Sequence, residues 1–190
     1  MNEDIVMMLT GWKEIRKHLD HIPHSSFMDL TVCYLTVHDS WEDGKKTGMD
    51  LETLVDCDLE SRDIRDMDEL YKTALLNTER LFPARVQQVS DGMYCITNDQ
   101  HTFGATAMMY PAQLKEVSRL MGSDMYIVPS SIHEVICIDP DAADPSDIYD
   151  FIRYSNREYL AQKDVLSNSL YYYEAPRDRL TIAYSEGSFN

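Results

Sequence analysis

No stretch of this 190-residue sequence approaches the ~18 consecutive apolar residues that a membrane-crossing helix needs. The opening Met1-Asn2-Glu3-Asp4 lacks the basic residues that begin a signal peptide. Both point to a cytoplasmic protein without a membrane partner. Closely spaced cysteine pairs are missing too. Cys33, Cys57, Cys95 and Cys137 are dispersed, and all but Cys57 sit in apolar runs. That is how reduced cysteine serves as a small hydrophobe, and it argues against a zinc site built from these four alone.

Positive charge is scarce. Seventeen Lys and Arg stand against 33 Asp and Glu, for a formal net charge of −16. Such a field repels phosphates and anionic lipids, so direct nucleic-acid binding is not expected. It suits a basic protein partner, or imitation of nucleic acid, as well as plain solubility. Internal repeats and low-complexity linkers are also absent. With 44% hydrophobic residues in short periodic blocks, the chain reads as one globular domain over residues 1–190, its first 24 residues the hardest to assign.

What is present alternates between helices and strand pairs. Ile5 to Leu9 suits a strand or a helical turn, and Trp12 to His21 has helical spacing up to Pro23. Leu30 to Val37 reads as a well-covered strand, His38 to Lys46 as a polar turn region, and Met49 to Val55 as strand or short helix. The clearest helix follows Asp66, with Met67, Leu70, Tyr71, Ala74, Leu75, Thr78, Leu81 and Phe82 on one face. Met93–Thr97 and Gly104–Met109 are expected to form an antiparallel hairpin. A helix with inner residues Leu114, Val117, Leu120 and Met121 should end at Gly122. Another, opened by Asp144-Pro145-Ser146-Asp147, should bury Ile148, Phe151, Ile152, Ser155 and Tyr159. Ser169–Glu174 and Leu180–Tyr184 close the chain as a hairpin, with Tyr172 turned away from Tyr171 and Tyr173. Short connections favour antiparallel pairing. The expected class is therefore α+β: a mostly antiparallel sheet with about three helices packed on it.

The chemistry-bearing stretch is Tyr126 to Ile138, two β-branched runs around Pro129-Ser130-Ser131-Ile132-His133-Glu134. The segment Pro129 to Val135 resembles the hallmark of an uncharacterised clostridial family, known only as a domain of unknown function. Gly104-Ala105, Tyr110-Pro111, Leu114 and Leu120 to Tyr126 resemble the same family. So do Ala74, Asn77-Thr78, Leu81-Phe82-Pro83, Ile22-Pro23-His24, Phe27, Asp29-Leu30 and Asp164 to Ser167. A more distant likeness is to an uncharacterised bacillar group with a Pro-Ser-Arg-Asp-like sequence at this strand. Members of the clostridial family are usually longer at the N-terminus, and His38 to Leu59 matches it poorly. The resemblance implies an α+β fold and no known reaction or cofactor.

Ser131, His133 and Glu134 are the candidate catalytic residues, as nucleophile, base and acid of a small hydrolase. In an extended strand Glu134 would point away from Ser131 and His133, and no Gly-x-Ser-x-Gly setting surrounds the serine. The competing reading has the serines bonding the backbone at a bend. His18, His21 and His24 are the weak metal candidates, divided by Pro23; no metal or cofactor is expected. Two acidic runs remain, Asp56 to Glu69 and Asp139 to Asp150. Within them Asp63, Asp68, Asp141 and Asp147 are candidates for docking a basic or nucleic-acid-binding protein. Helix N-terminal acids on a solvated surface are the simpler explanation. The function expected is a non-catalytic interaction module, in one version an acidic inhibitor carried by a phage or mobile element.

Overall fold

The computed structural model describes residues 4–11, 15, 19–43 and 45–185, with the side chains of Leu19, Trp41 and Ser130 outside that description. Two antiparallel sheets form the framework. The first holds β1 (Ile5–Gly11), β2 (His24–Phe27), β3 (Leu30–Glu42) and β4 (Lys45–Thr53). Here β3 is central. β1 runs along one side, and β2 and β4 share the other, along its first and second halves. The second sheet has β5 (Ala84–Ser90), β6 (Met93–Asn98), β7 (Met125–Ser131), β8 (Glu134–Ile138), β9 (Leu170–Glu174) and β10 (Arg179–Tyr184). Its order is β10-β9-β7-β8-β6-β5. The class is α+β, with two sheets where the sequence suggested one.

The helices are α1 (Asp56–Ser61), α2 (Met67–Leu81), α3 (Gln113–Met121) and α4 (Pro145–Glu158). The Asp66 carboxylate caps α2 by accepting the Asp68 and Glu69 amides. Leu70 and Ala74 enter a core shared by both sheets, with Ile5, Met7, Leu9, Val32 and Tyr34 from the first and Ile96, Ile127, Val135 and Tyr171 from the second. α4 lies on the opposite face of the six-stranded sheet, where Ile148, Tyr149 and Ile152 meet Val128, Ile138 and Leu170. The alternation along β7 decides this: Ile127 faces the shared core and Val128 faces α4.

β1 pairs with β3 alone, which leaves one side of its backbone without a strand. Side chains take the strand's place. Thr78 Oγ1 accepts the Met7 amide at 2.9 Å, Thr106 Oγ1 accepts the Leu9 amide at 3.0 Å, and Asn77 Nδ2 donates to the Ile5 carbonyl at 2.9 Å. All three bonds are buried, where an unpaired amide would be costly. Asn77 is thus a core residue of α2 that an apolar count passes over.

Several expectations need correcting. Met93–Asn98 pairs with Ala84–Ser90, while Gly104–Met109 is a 3-10 segment. All its residues but the half-buried Met109 are buried, so the burial that suggested a strand carries no information about backbone shape. β5 escaped notice because, as an edge strand, it is exposed along most of its length. The polar region His38–Lys46 is largely strand, a ribbon with a turn at Asp43. Between Trp12 and His21, Leu19–His21 forms one 3-10 turn, and residues 12–14 and 16–18, including His18, lie outside the described residues. In α3, Leu114 and Val117 are buried but Leu120 is 46% exposed. In α4 the buried stripe is Ile148, Tyr149, Ile152 and Asn156. Phe151 and Tyr159 are on the outside. Asn156 selects that face by donating to the Ser167 carbonyl at 2.8 Å.

Replacing Thr78 with valine keeps the shape and removes the acceptor of the buried Met7 amide. Urea unfolding should show a loss of about 1–3 kcal/mol. The exposed neighbour Leu76, changed to alanine, should stay within about 0.5 kcal/mol of wild type.

Candidate functional site

The polar island is the tip of a hairpin. Ser131 and Glu134 are cross-strand partners, and Ile132 and His133 form the turn between β7 and β8. A register shift between Val128 and Ser131, at Pro129 and Ser130, precedes the turn. The extended geometry that places Ser131 and His133 on one face therefore does not apply.

Each candidate has a defined engagement. Ser131 is buried, and its Oγ accepts the His133 amide at 3.1 Å, a serine turn closed on its own backbone. The His133 carbonyl accepts Thr97 Oγ1 at 2.8 Å, and its Nδ1 accepts the Phe103 amide at 3.3 Å. Because Nδ1 accepts, the neutral ring carries its proton on Nε2, which points toward Asp164 Oδ1 3.9 Å away. The ring also stacks on Phe103, with centroids 6.1 Å apart. Glu134 turns to β6, where its Oε2 takes the Cys95 thiol at 3.5 Å. The structure brings together Ser131, His133, Phe103, Thr97 and Asp164, with Glu134 on a separate partner. The hydroxyl of Ser131 is engaged with the His133 amide, and Nδ1 of His133 with the Phe103 amide.

Gly104 shows how tightly this tip is seated. A Cβ there would lie 2.3 Å from both the His133 carbonyl oxygen and Thr97 Oγ1. The Phe103 φ of 51° delivers the chain to this point. Asp164 is the neighbour that the reading of candidate site residues overlooked. Its carbonyl also accepts the Ile132 amide at 2.9 Å, which ties the segment after α4 to the tip.

The other candidates lie apart. His21 and His24 are exposed, and His24 Nδ1 bonds the Ile22 carbonyl. Among the described residues, no three His, Cys, Asp or Glu side chains come together as a metal cluster. Asp63, Asp68, Asp141 and Asp147 are all exposed. Asp63 and Asp68 flank the start of α2, while Asp141 and Asp147 flank the start of α4. Since α2 packs with β1 and α4 on the far face of the other sheet, they form two patches on different layers.

A hollow of about 10 Å³ lies between Val6, Leu35, Phe82 and Phe103, too small for a substrate. A more open depression of about 460 Å³ is lined by Asp91, Tyr94, Leu120 and Asp139, away from the island. No described helix is long and apolar enough to cross a membrane.

Residues 87–175 match DUF5688, a family of unknown function. That stretch includes the hairpin tip, Gly104, Asp164 and all of α4. No curated protein matches the chain, and no solved structure does.

Two outcomes follow from these contacts. Ser131→Ala and His133→Ala should each cost about 1–3 kcal/mol in urea unfolding, and Ser131 should resist a fluorophosphonate probe. Thiol chemistry provides the second. Burial lifts the Cys33 thiol from its ordinary 9.0 to about 12. Burial, aided by the Glu134 charge, does the same for Cys95. A raised thiol pKa favours the protonated form in the fold. Its contribution is complete below about pH 9 and is lost as pH rises toward 12. Mass spectrometry after iodoacetamide at about pH 8 should find native protein labelled at the exposed Cys57 alone, and base titration should show stability falling above about pH 9.

Proposed function

We propose that this protein is a cytoplasmic, non-catalytic interaction module that docks a basic protein partner through its acidic surface. The observation that carries the reading is the contrast between the two candidate groups. Ser131, His133 and Glu134 are spent on holding one hairpin tip in place. Asp63, Asp68, Asp141 and Asp147 stand exposed beside two helix starts in a chain of net charge −16. Charges presented this way steer a basic partner and raise its association rate. A nucleic-acid-binding protein is the natural target, because its own basic surface is built to receive closely spaced negative charge. An acidic inhibitor from a phage or mobile element, in a host of the clostridial kind, fits that role.

Replacing Asp63, Asp68, Asp141 and Asp147 with serine tests it. The fold should survive, because exposed changes usually cost within about 0.5 kcal/mol each. A partner captured from the native host by wild-type protein should be lost by the quadruple variant. Binding should also weaken as salt rises, since exposed charges are screened beyond ~10 Å at 0.1 M. Equal binding by the variant at low salt would mean that the acids only solubilise the chain. Labelling of Ser131 by the fluorophosphonate probe would favour the small hydrolase using Ser131 and His133.

A further inference from the structure

α4 buries one face and leaves the opposite one bare. Asp147, Asp150, Phe151, Tyr154 and Glu158 recur at intervals of three and four, so they share a stripe. Every one of them is exposed. Phe151 is 64% exposed and Tyr154 48%, and Tyr159 (72%) meets the Tyr154 ring edge-on with centroids 5.8 Å apart. Three large aromatics this exposed on one outward surface mark a candidate contact face. Carboxylates alternate with the rings, and Asp141 and Asp144 extend the negative charge beyond the start of the helix.

We propose that this outward face of α4 is where an arginine-rich segment of the partner docks. The inference rests on the basic-partner reading above and gives it a location. Carboxylates beside exposed rings suit arginine, which pairs in two dimensions with an acid and lies flat on an aromatic face. The molecule makes the same contact internally. Arg157 stands 5.8 Å over the Tyr154 ring while its Nε bonds Glu158 at 2.7 Å, and Arg153 stands 5.8 Å over Tyr149. These two arginines line one flank of the stripe. Asp147, Asp150 and Phe151 form the other end, where the partner's guanidinium groups are received. A second copy of the chain is the poorer occupant, because pairing two such faces brings together like charge on molecules of net charge −16.

The test uses fluorescein-labelled oligo-arginine and oligo-lysine peptides of equal length with the full chain. Wild type should prefer the arginine peptide. Phe151→Ser with Tyr154→Ser leaves every carboxylate in place, yet should weaken arginine-peptide binding about tenfold and erase the preference over lysine. Asp147→Asn with Asp150→Asn should weaken both peptides, which keeps the test open if the aromatic pair is poorly folded by thermal melt. Asp50→Ser with Glu52→Ser, exposed acids on β4, should change arginine-peptide binding by less than about twofold, since exposed charges remote from the contact contribute little. If that last pair weakens binding while the α4 variants match wild type, basic docking stands and this location is wrong. If all these variants and the quadruple acid variant bind like wild type, the basic-partner reading fails as well. A wild-type dimer by sedimentation that Phe151→Ser with Tyr154→Ser dissolves would overturn the proposal in favour of self-association.

Discussion

The structure depends on how the bare edge of β1 is satisfied. A strand buried at an edge must find partners for alternate amides and carbonyls, or lose the free energy that its burial supplies. Here Asn77 and Thr78 arrive from α2, and Thr106 from the 3-10 segment. The same three bonds fix α2 along the strand and bring Gly104–Met109 against both sheets. They also explain why this segment is not a strand. A ladder there would compete for the groups that the threonine and asparagine side chains satisfy, whereas a compact turn can put Thr106 at the amide of Leu9 and still bury Ala105, Ala107 and Met108.

From that segment the constraint passes to the hairpin tip. Gly104 leaves no room beneath the His133 carbonyl, and the Phe103 amide holds the imidazole. Asp164 reaches the tip from the far side through its carbonyl. A second bridge lies nearby, where the Asp29 carboxylate accepts the hydroxyls of Ser167, Ser169 and Tyr171 at 2.7, 2.8 and 2.5 Å. The charge on Asp29 and burial both push the Tyr171 hydroxyl well above its ordinary pKa, burial being the larger cause. Asp29 sits in the turn between β2 and β3, so this network ties the first sheet to the last strands of the second. The polar residues most suggestive of chemistry are therefore concentrated where chain segments distant in sequence must be locked together.

What was legible in the sequence follows from how local each cause is. α2 carries its own cap at Asp66 and a long apolar stripe, and its start and its stop at Pro83 can be read directly. β7, β8 and the closing hairpin show through β-branched and aromatic runs. Three things were hidden because their causes are not local. β5 is a strand by virtue of β6 beside it, and its own glutamines and arginine give little sign. The orientation of α4 turns on Asn156, whose partner Ser167 lies beyond the helix. The role of His133 turns on Phe103, Thr97 and Asp164, none of them near it in sequence. Apolar periodicity reports how much burial a segment wants, and partners of this kind decide which face receives it.

The case of α4 shows why that distinction bears on function. Counting apolar positions assigns Phe151 and Tyr159 to the core, and a protein with those rings inside would present an ordinary acidic helix to solvent. With Tyr149 and Asn156 inside instead, the rings stand among Asp147, Asp150 and Glu158. Charge alone gives long-range attraction with little selectivity, and salt screens it. Aromatic surface gives contact energy that persists at short range but does not steer. On the proposed reading, a face that interleaves the two attracts a basic segment from a distance and then discriminates arginine from lysine on contact. The buried stripe on the other side makes such a face possible, because Ile148, Tyr149 and Ile152 fasten the helix to the sheet and free its outward residues from any duty in the fold.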